Sequence, residues 1–246
     1  MKIAKYIKTR IQALFYEKGI IIQKKTPLNS EEKLLSFLLG EHQIDLVLDI
    51  GANKGQFAME LLKSGFAGNV VSFEPLPETF KELQANAKKY PRWKVENLAV
   101  GNQTGSITIN VSANTESSSV LAMLDRHSDL APESKYVKSL SVPIITLDKY
   151  VANEMLICKN VFLKIDVQGF EESVLIGAAT TLQNVKLLQL EISFTPLYQN
   201  STVYYTMMEK IEKMGFSFFS LQPAFTDYKT GQIFQIDAIY IKQQQD

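Results

Sequence analysis

VLDIGANKGQF, residues 47–57, decides how the rest of the chain reads. An apolar run ends around Asp49, a loop with Gly51 and Gly55 follows, and an amphipathic segment takes over from there. A strand, a glycine turn and a helix in that order let backbone approach a nucleotide-like ligand closely. Taken alone the pattern is weak, and the acids around it sharpen it. Glu74 closes the next apolar run, NVVSFEP, roughly twenty residues beyond the glycines, where a carboxylate accepts both hydroxyls of a ribose. A free 2′-hydroxyl is implied, because a 2′-phosphate would meet a negative charge.

Two common ligands carry that ribose. NAD also brings a pyrophosphate, which wants helix-terminal amides and is repelled by a nearby carboxylate. S-adenosylmethionine brings an ammonium and a sulfonium, both cationic. Asp49, just ahead of Gly51, suits the second and harms the first. GANKG also resembles the glycine loop of short-chain dehydrogenases, but those enzymes need a Tyr-x-x-x-Lys pair on a later helix. The Tyr90–Lys94 spacing straddles Pro91, leads into a strand and lies too early to reach a nicotinamide.

Outward from the loop, strand-like and helical runs alternate. IDLVLDI, NVVSFEP, WKVENLAV, NVFLKID and VKLLQLEIS read as strands, and KGQFAMELLKSG, PETFKELQANAKKY, GFEESVLIGAATTL and TVYYTMMEKIEKMG as helices. This rhythm predicts βαβ units and a doubly wound, mostly parallel sheet covered on both faces. FSFFSL and IFQIDAIYI have no helix between them and predict a closing antiparallel pair. GSITINVS and SLSVPIITL bracket a polar stretch, read as an inserted hairpin over about 105–146 with a long loop near the ligand mouth. Residues 1–40 form a helical extension, with SEEKLLSFLLG opening at Ser30 and closing at Gly40. Residues 41–246 form the main domain.

The 246 residues carry 26 basic and 26 acidic side chains, and this balance gives no reason to expect a nucleic-acid partner. Cys158 is the single cysteine; it excludes an internal disulfide, reads as a small buried hydrophobe and suits a reducing, cytoplasmic setting. The N-terminal segment sets Lys2, Lys5, Lys8, Arg10 and Lys18 against Ile3, Ile7, Ile11, Leu14 and Phe15 at helical spacing. This basic amphipathic helix either packs on the domain or a partner chain, including a second copy, or touches an anionic membrane surface through residues 1–25. The glutamine-rich tail at 243–245 reads as frayed.

The runs VLDIGANKGQF, SFEPLPETF, NLAVGNQTG, SSSV, ITLD, FLKIDVQGFEESVLIGA and LLQLEIS together resemble the FkbM family of S-adenosylmethionine-dependent methyltransferases, over roughly residues 42–242. KIDVQGFE following GANKGQF is the most specific part; the family's usual form has Glu where this chain has Gln168. The resemblance implies a class I methyltransferase (Rossmann-like) fold, a seven-stranded sheet with its last strand antiparallel, and O-methylation of sugar or polyketide hydroxyls. It also implies that the tip formed by Asn97, Leu98 and Ala99 faces the adenine, and that the serines at 117–119, Ser118 among them, bond cofactor or acceptor.

The remaining roles follow from the residues. Gly51, Ala52 and Gly55 shape the loop. Asn53 either bonds the methionine carboxylate or caps the helix starting near Lys54. Phe57 lies one turn into that helix, at the cofactor or in the core. Glu74 holds the ribose, with Pro75 and Leu76 on the adenine side. Strand alternation puts Lys164 and Asp166 on one face, and a lysine inside an apolar strand needs a partner. Asp166 is the first candidate to orient or deprotonate an acceptor hydroxyl, Glu191 the second, and Lys164 completes the catalytic set. Glu171, in a first helical turn, reads as a dipole cap. No carboxylate cluster of the kind hard cations favour is apparent, and His42 and His127 are isolated, so no metal is expected. The expected activity is methyl transfer to a hydroxyl of a glycan or related metabolite. The alternative is a non-catalytic, cofactor-binding module of the same fold.

Overall fold

The computed structural model describes residues 10–156 and 159–243. Lys2, Lys5 and Lys8, the thiol of Cys158 and the tail beyond 243 lie outside the described residues. Gln243 itself is held, its amide N–H donating to Gly215 O at 2.8 Å.

The central sheet contains β1 (Leu46–Ile50), β2 (Asn69–Phe73), β3 (Trp93–Glu96), β7 (Val161–Ile165), β8 (Val185–Ser193), β9 (Phe216–Pro223) and β12 (Gln235–Lys242). Its order is β3-β2-β1-β7-β8-β12-β9. The first five strands run parallel, whereas β12 is antiparallel to both β8 and β9. The order reverses between β1 and β7, and the crevice beyond the carboxyl ends of these two strands is where open α/β sheets take ligands.

Strand alternation builds two cores. Val47, Val70, Phe162 and Leu187 face α2 (Glu31–Glu41), α3 (Gln56–Lys63) and α4 (Pro77–Ala87), which contribute Leu38, Ala58, Leu61 and Leu83. Leu48, Phe73, Leu163, Ile165 and Tyr240 face α6 (Leu147–Asn153), α7 (Glu171–Ile176) and α8 (Tyr204–Lys213), which contribute Tyr150, Val174, Leu175 and Ile211. Each fully buried aliphatic or aromatic side chain here contributes about 1.5–3 kcal/mol. Every residue of β1 is buried, Asp49 included.

Several boundaries differ from expectation. WKVENLAV is not one strand: it breaks after Glu96, and β4 (Ala99–Val100) joins β5 (Gly105–Ser112) and β6 (Tyr136–Ile145) in a separate sheet of order β4-β6-β5. The break is fixed by Asn97, whose Nδ2 donates to Glu74 O and Pro75 O at 2.8 and 3.0 Å. The polar stretch between β5 and β6 is not all loop but carries α5 (Asp125–Leu130). The helix expected over 169–182 shortens to α7, since Gly177 abuts Gly101: a Cβ at 177 would sit 1.9 Å from Gly101 O. A short antiparallel pair, β10 (Thr226–Asp227) and β11 (Gln232–Ile233), precedes β12. At the N-terminus, helix α1 covers 10–16 and ends in a turn at 17–19 with Gly19 at φ +73°. α2 runs on through Gly40 to Glu41, and Ser30 makes no side-chain cap.

Candidate functional site

The crevice at the switch point opens into a cavity of about 380 Å³. The β1–α3 loop (Gly51, Ala52, Asn53), Phe57, the β2 end (Glu74, Pro75, Leu76), Ala99, and the tips of β7 and β8 (Lys164, Asp166, Gln168, Glu191) form its wall. Thr115, Glu116, Ser118 and Ser119 of the insert close it from the other side.

Glu74 is 5% exposed and grips both sides of the crevice. Its Oε2 accepts from Asn53 N at 3.0 Å and its Oε1 from Leu76 N at 2.8 Å. The carboxylate thus fixes the glycine loop and caps the turn into α4, and each oxygen keeps a lone pair for a further donor. Burial pushes its carboxyl up to about 8, against the two backbone donors.

The loop works differently from its sequence reading. Gly51 (φ +83°) is required by close approach to the chain itself: a Cβ there would lie 1.8 Å from Asp166 O. Gly55 (φ +86°), expected to admit the cofactor, instead makes room for Trp93, whose ring would lie 2.5 Å from a Cβ. Gly55, not Asn53, occupies the N-cap position of α3. Asn53, in the left-handed region at φ +48°, turns its Oδ1 back to accept from Lys54 N at 2.7 Å. Asn97 stays behind the wall in the strand break. Asp49, expected among the cofactor-binding residues, is fully buried and faces Ser72 and Lys164.

Those neighbours form a polar row across the sheet on the α2–α4 face. Trp93 Nε1 donates to Ser72 Oγ at 2.9 Å, and Ser72 Oγ donates to Asp49 Oδ2 at 2.9 Å. Lys164 Nζ lies 3.6 Å from Asp49 Oδ1 and 3.3 Å from Asp166 Oδ2. Asp166 is thus the partner Lys164 requires, with Asp49 as a second. Nζ also sits 5.5 Å above the Phe57 ring, which packs edge-on against Phe162. Phe57 therefore serves core and cavity together. Burial alone would depress the Lys164 ammonium, but Asp166, Asp49 and Asp237 lift it above its ordinary value, so it stays charged. Burial also raises Asp49, against the pull of Lys164 and Ser72.

At the β8 tip, Glu191 accepts on Oε2 from Gln168 Nε2 (2.7 Å) and from Gln235 Nε2 (2.8 Å). Burial, then the nearby Asp166, Asp237 and Glu171, holds its carboxyl well above the ordinary range. Asp237, directly opposite Glu191 in the β8–β12 ladder, is pushed up to about 7 by burial and Asp166. Glu171 Oε1 accepts from Gly169 N (2.9 Å) and Val167 N (3.3 Å), so it caps the turn ahead of α7 as expected of a first-turn acid. Ser118 Oγ reaches Ser112 N at 3.0 Å, while Ser119 Oγ donates to Gln168 O at 2.7 Å and ties the insert to the β7 tip. His127 is buried between Tyr198 and Phe225. Among the described residues no group of His, Cys, Asp and Glu has the arrangement of a metal site.

Gln235, Asp237 and Tyr198 escaped the sequence reading. They arrive from an antiparallel strand and a loop with no local motif, and only the insertion of β12 beside β8 brings the first two to Glu191.

The cavity mouth fits S-adenosylmethionine on two counts. Glu74 presents free lone pairs on two adjacent oxygens, which suits a ribose diol. The cavity is lined by Glu74, Glu116, Asp166 and Glu191 against Lys164 alone, so a cationic ligand is favoured and a pyrophosphate is not.

A parallel sheet reversing at β1/β7, an antiparallel β12 placed inside the edge strand, and an acid-lined cavity at the switch point define a class I methyltransferase fold. The chain belongs to the methyltransferase FkbM domain family, whose profile matches residues 49–218. It is 29% identical over 167 residues to the hexuronic acid methyltransferase AglP of Haloferax volcanii, a match covering 67% of this chain and 63% of that relative's length. Among solved structures it resembles the magnesium protoporphyrin IX methyltransferase of Synechocystis PCC 6803 with bound SAM (12% identity, 96% and 97% of the two chains, TM-score 0.49). It also resembles the 1,6-didemethyltoxoflavin-N1-methyltransferase of Burkholderia thailandensis (9% identity, 99% and 90%, TM-score 0.47).

Proposed function

We propose that the chain is an S-adenosylmethionine-dependent O-methyltransferase whose acceptor is a hydroxyl of a sugar, with uronic-acid-containing glycans as the first candidates. The observation that carries the reading is one cavity lined at one end by Glu74 and at the other by Asp166 and Glu191. The likeness to AglP supports a uronic-acid acceptor.

When bound, the cofactor supplies a methyl already activated by a sulfonium. The chain's residues then have two tasks, alignment of the acceptor oxygen and removal of its proton. Glu74 anchors the ribose, and the loop from Gly51 to Asn53 borders the methionine end. Asp166, fixed by Lys164, orients the sugar beside the reacting hydroxyl. Glu191, whose carboxyl burial lifts above its ordinary range, accepts the reacting hydroxyl's O–H and takes its proton as transfer proceeds.

A mass-spectrometric screen of uronic-acid oligosaccharides with S-adenosylmethionine tests this, expecting a gain of one methyl. Asp166→Asn and Glu191→Gln each lower the rate by roughly a hundredfold or more, the usual size of a general-base contribution, while retaining S-adenosylhomocysteine binding. Cofactor binding with no turnover on any acceptor would favour a non-catalytic module, and undiminished turnover in both variants would remove the two acids from the mechanism.

The same reading includes a membrane-surface contact through residues 1–25. No helix among the described residues is long and apolar enough to cross a bilayer. Leu14 and Ile21 stand 60% and 67% exposed in a segment that also carries Lys18 and Lys24, a combination of apolar and basic groups that suits an anionic interface. Full-length protein should sediment with phosphatidylserine vesicles and not with phosphatidylcholine ones, and a Leu14→Glu, Ile21→Glu double variant should stay in the supernatant. Equal pelleting of the two disposes of the contact; self-association of wild type lost in the variant assigns the patch to a second copy instead.

A further inference from the structure

The most connected side chain at the cavity is Gln168. Its Nε2 donates to Asp166 Oδ1 at 3.0 Å and to Glu191 Oε2 at 2.7 Å, and its Oε1 accepts from Tyr198 OH at 2.7 Å. Its carbonyl accepts from Ser119 Oγ at 2.7 Å, and its backbone is held at φ +55°, a conformation uncommon outside glycine, asparagine and aspartate. The amide orientation is fixed by its partners: a flipped group would turn its oxygen toward two carboxylates and its N–H₂ toward a tyrosine hydroxyl. One neutral donor therefore links the tips of β7 and β8. A carboxylate at this position could not do the same without a proton or a cation, since it has nothing to donate.

We infer that Gln168 is a positioning residue that joins Asp166 and Glu191 into a single acceptor-facing unit, with Tyr198 orienting its amide. The inference rests on the reading of those two acids as the groups that face the acceptor. Its consequence is directional. The N–H donated by Gln168 stabilises Glu191 as the carboxylate and so keeps it available as a base. It works against strong opposition. Asp166 from β7, Asp237 from β12 and Glu171 from α7 all face Glu191 and disfavour its charge, Lys164 favours it, and Tyr198 lies close by. Glu116 of the insert lines the same cavity. Both side-chain hydrogen bonds to Glu191 among the described residues end on Oε2, which leaves Oε1 for a further donor.

The test is a carbon-13 NMR titration of the Glu191 carboxyl in full-length protein, assigned by its loss in Glu191→Gln, with no acceptor needed. Gln168→Met, which keeps the bulk and removes the donor, should raise the Glu191 midpoint by about one pH unit, a tenfold gain in proton affinity. Gln168→Glu should raise it further. Tyr198→Phe, which leaves the amide chemically intact but unoriented, should shift it the same way by less. It stands in should Gln168→Met fail to fold, as judged by its thermal melt. A Glu191 midpoint unmoved in folded Gln168→Met, or unmoved in Tyr198→Phe when that is the only folded variant, overturns the inference. Calorimetry with S-adenosylhomocysteine on the wild type separates the two claims: absence of binding removes the methyltransferase reading, while the titration still reports on the bridge.

Discussion

Lys164→Met is expected to unfold well below wild type at pH 8, because it leaves two carboxylates in the sheet without their cation. Asp49 has no exposure, and its Oδ1 has no hydrogen-bond donor, only Lys164 Nζ at 3.6 Å. Removing one partner of a buried pair costs about 3–5 kcal/mol. For a domain of this size that is a fall of roughly 6–20 °C in melting temperature. The loss should depend on pH in a definite sense. Without Lys164, burial of Asp49 raises its folded-state value further above the unfolded one and favours the neutral acid. Folding then takes up a proton between the unfolded value of about 3.9 and the folded value. The variant's stability is therefore retained at low pH and lost as pH rises through the folded value. The gap to wild type should narrow toward pH 4 and widen toward pH 8. Melts at the two pH values decide it, and a gap that is constant or below about 1 kcal/mol, the range of a surface pair, would show that Lys164 is not what holds Asp49.

Glu74→Ala should weaken S-adenosylhomocysteine by a hundredfold or more. Two charge-assisted hydrogen bonds to a ribose diol are worth about 1.5–3 kcal/mol each, and the same carboxylate holds Asn53 N and Leu76 N in place. Glu74→Gln keeps one acceptor oxygen and turns an N–H₂ toward the other donors, so it should fall between the two. Proton release is the sharper signature. In the free protein burial raises the carboxyl to about 8, so at pH 7 it is mostly protonated. Hydroxyl donors favour the ionised form and lower that value. Binding at pH 7 should therefore expel close to one proton, read by calorimetry in buffers of different ionisation heat, and the expulsion should fade above pH 9 and vanish in Glu74→Gln. Undiminished affinity in Glu74→Ala removes the ribose from this carboxylate.

The two expectations test opposite ends of one design. The cavity carries more negative than positive charge, and the protein tolerates this in two ways: a buried lysine holds one group of acids, and raised carboxyl values hold the others partly neutral. A cationic cofactor, if bound there, would relieve both.

Much of this was legible along the chain. The alternation of strands and helices, the glycine loop, Glu74 at the β2 tip and Lys164 beside Asp166 are local patterns, because periodicity and spacing within one βαβ unit fix which side chains share a face and an end. The closing antiparallel pair was equally plain, since FSFFSL and IFQIDAIYI leave no room for a crossover helix. What each site residue touches was not legible. The chain's own carbonyl at Asp166 and the ring of Trp93 dictate Gly51 and Gly55, and a tryptophan–serine relay seals Asp49 away from the cavity. Asn97 turns a strand out of the sheet, and Gln168, Tyr198 and the β12 pair Gln235 and Asp237 gather around Glu191 from three separate segments. Sequence alone set the order of elements and the ends at which acids cluster, because those depend on neighbours within a few residues. Tertiary structure alone decided which acid is buried, which is paired and which faces the cavity, because burial and ion pairing are properties of groups brought together from distant parts of the chain.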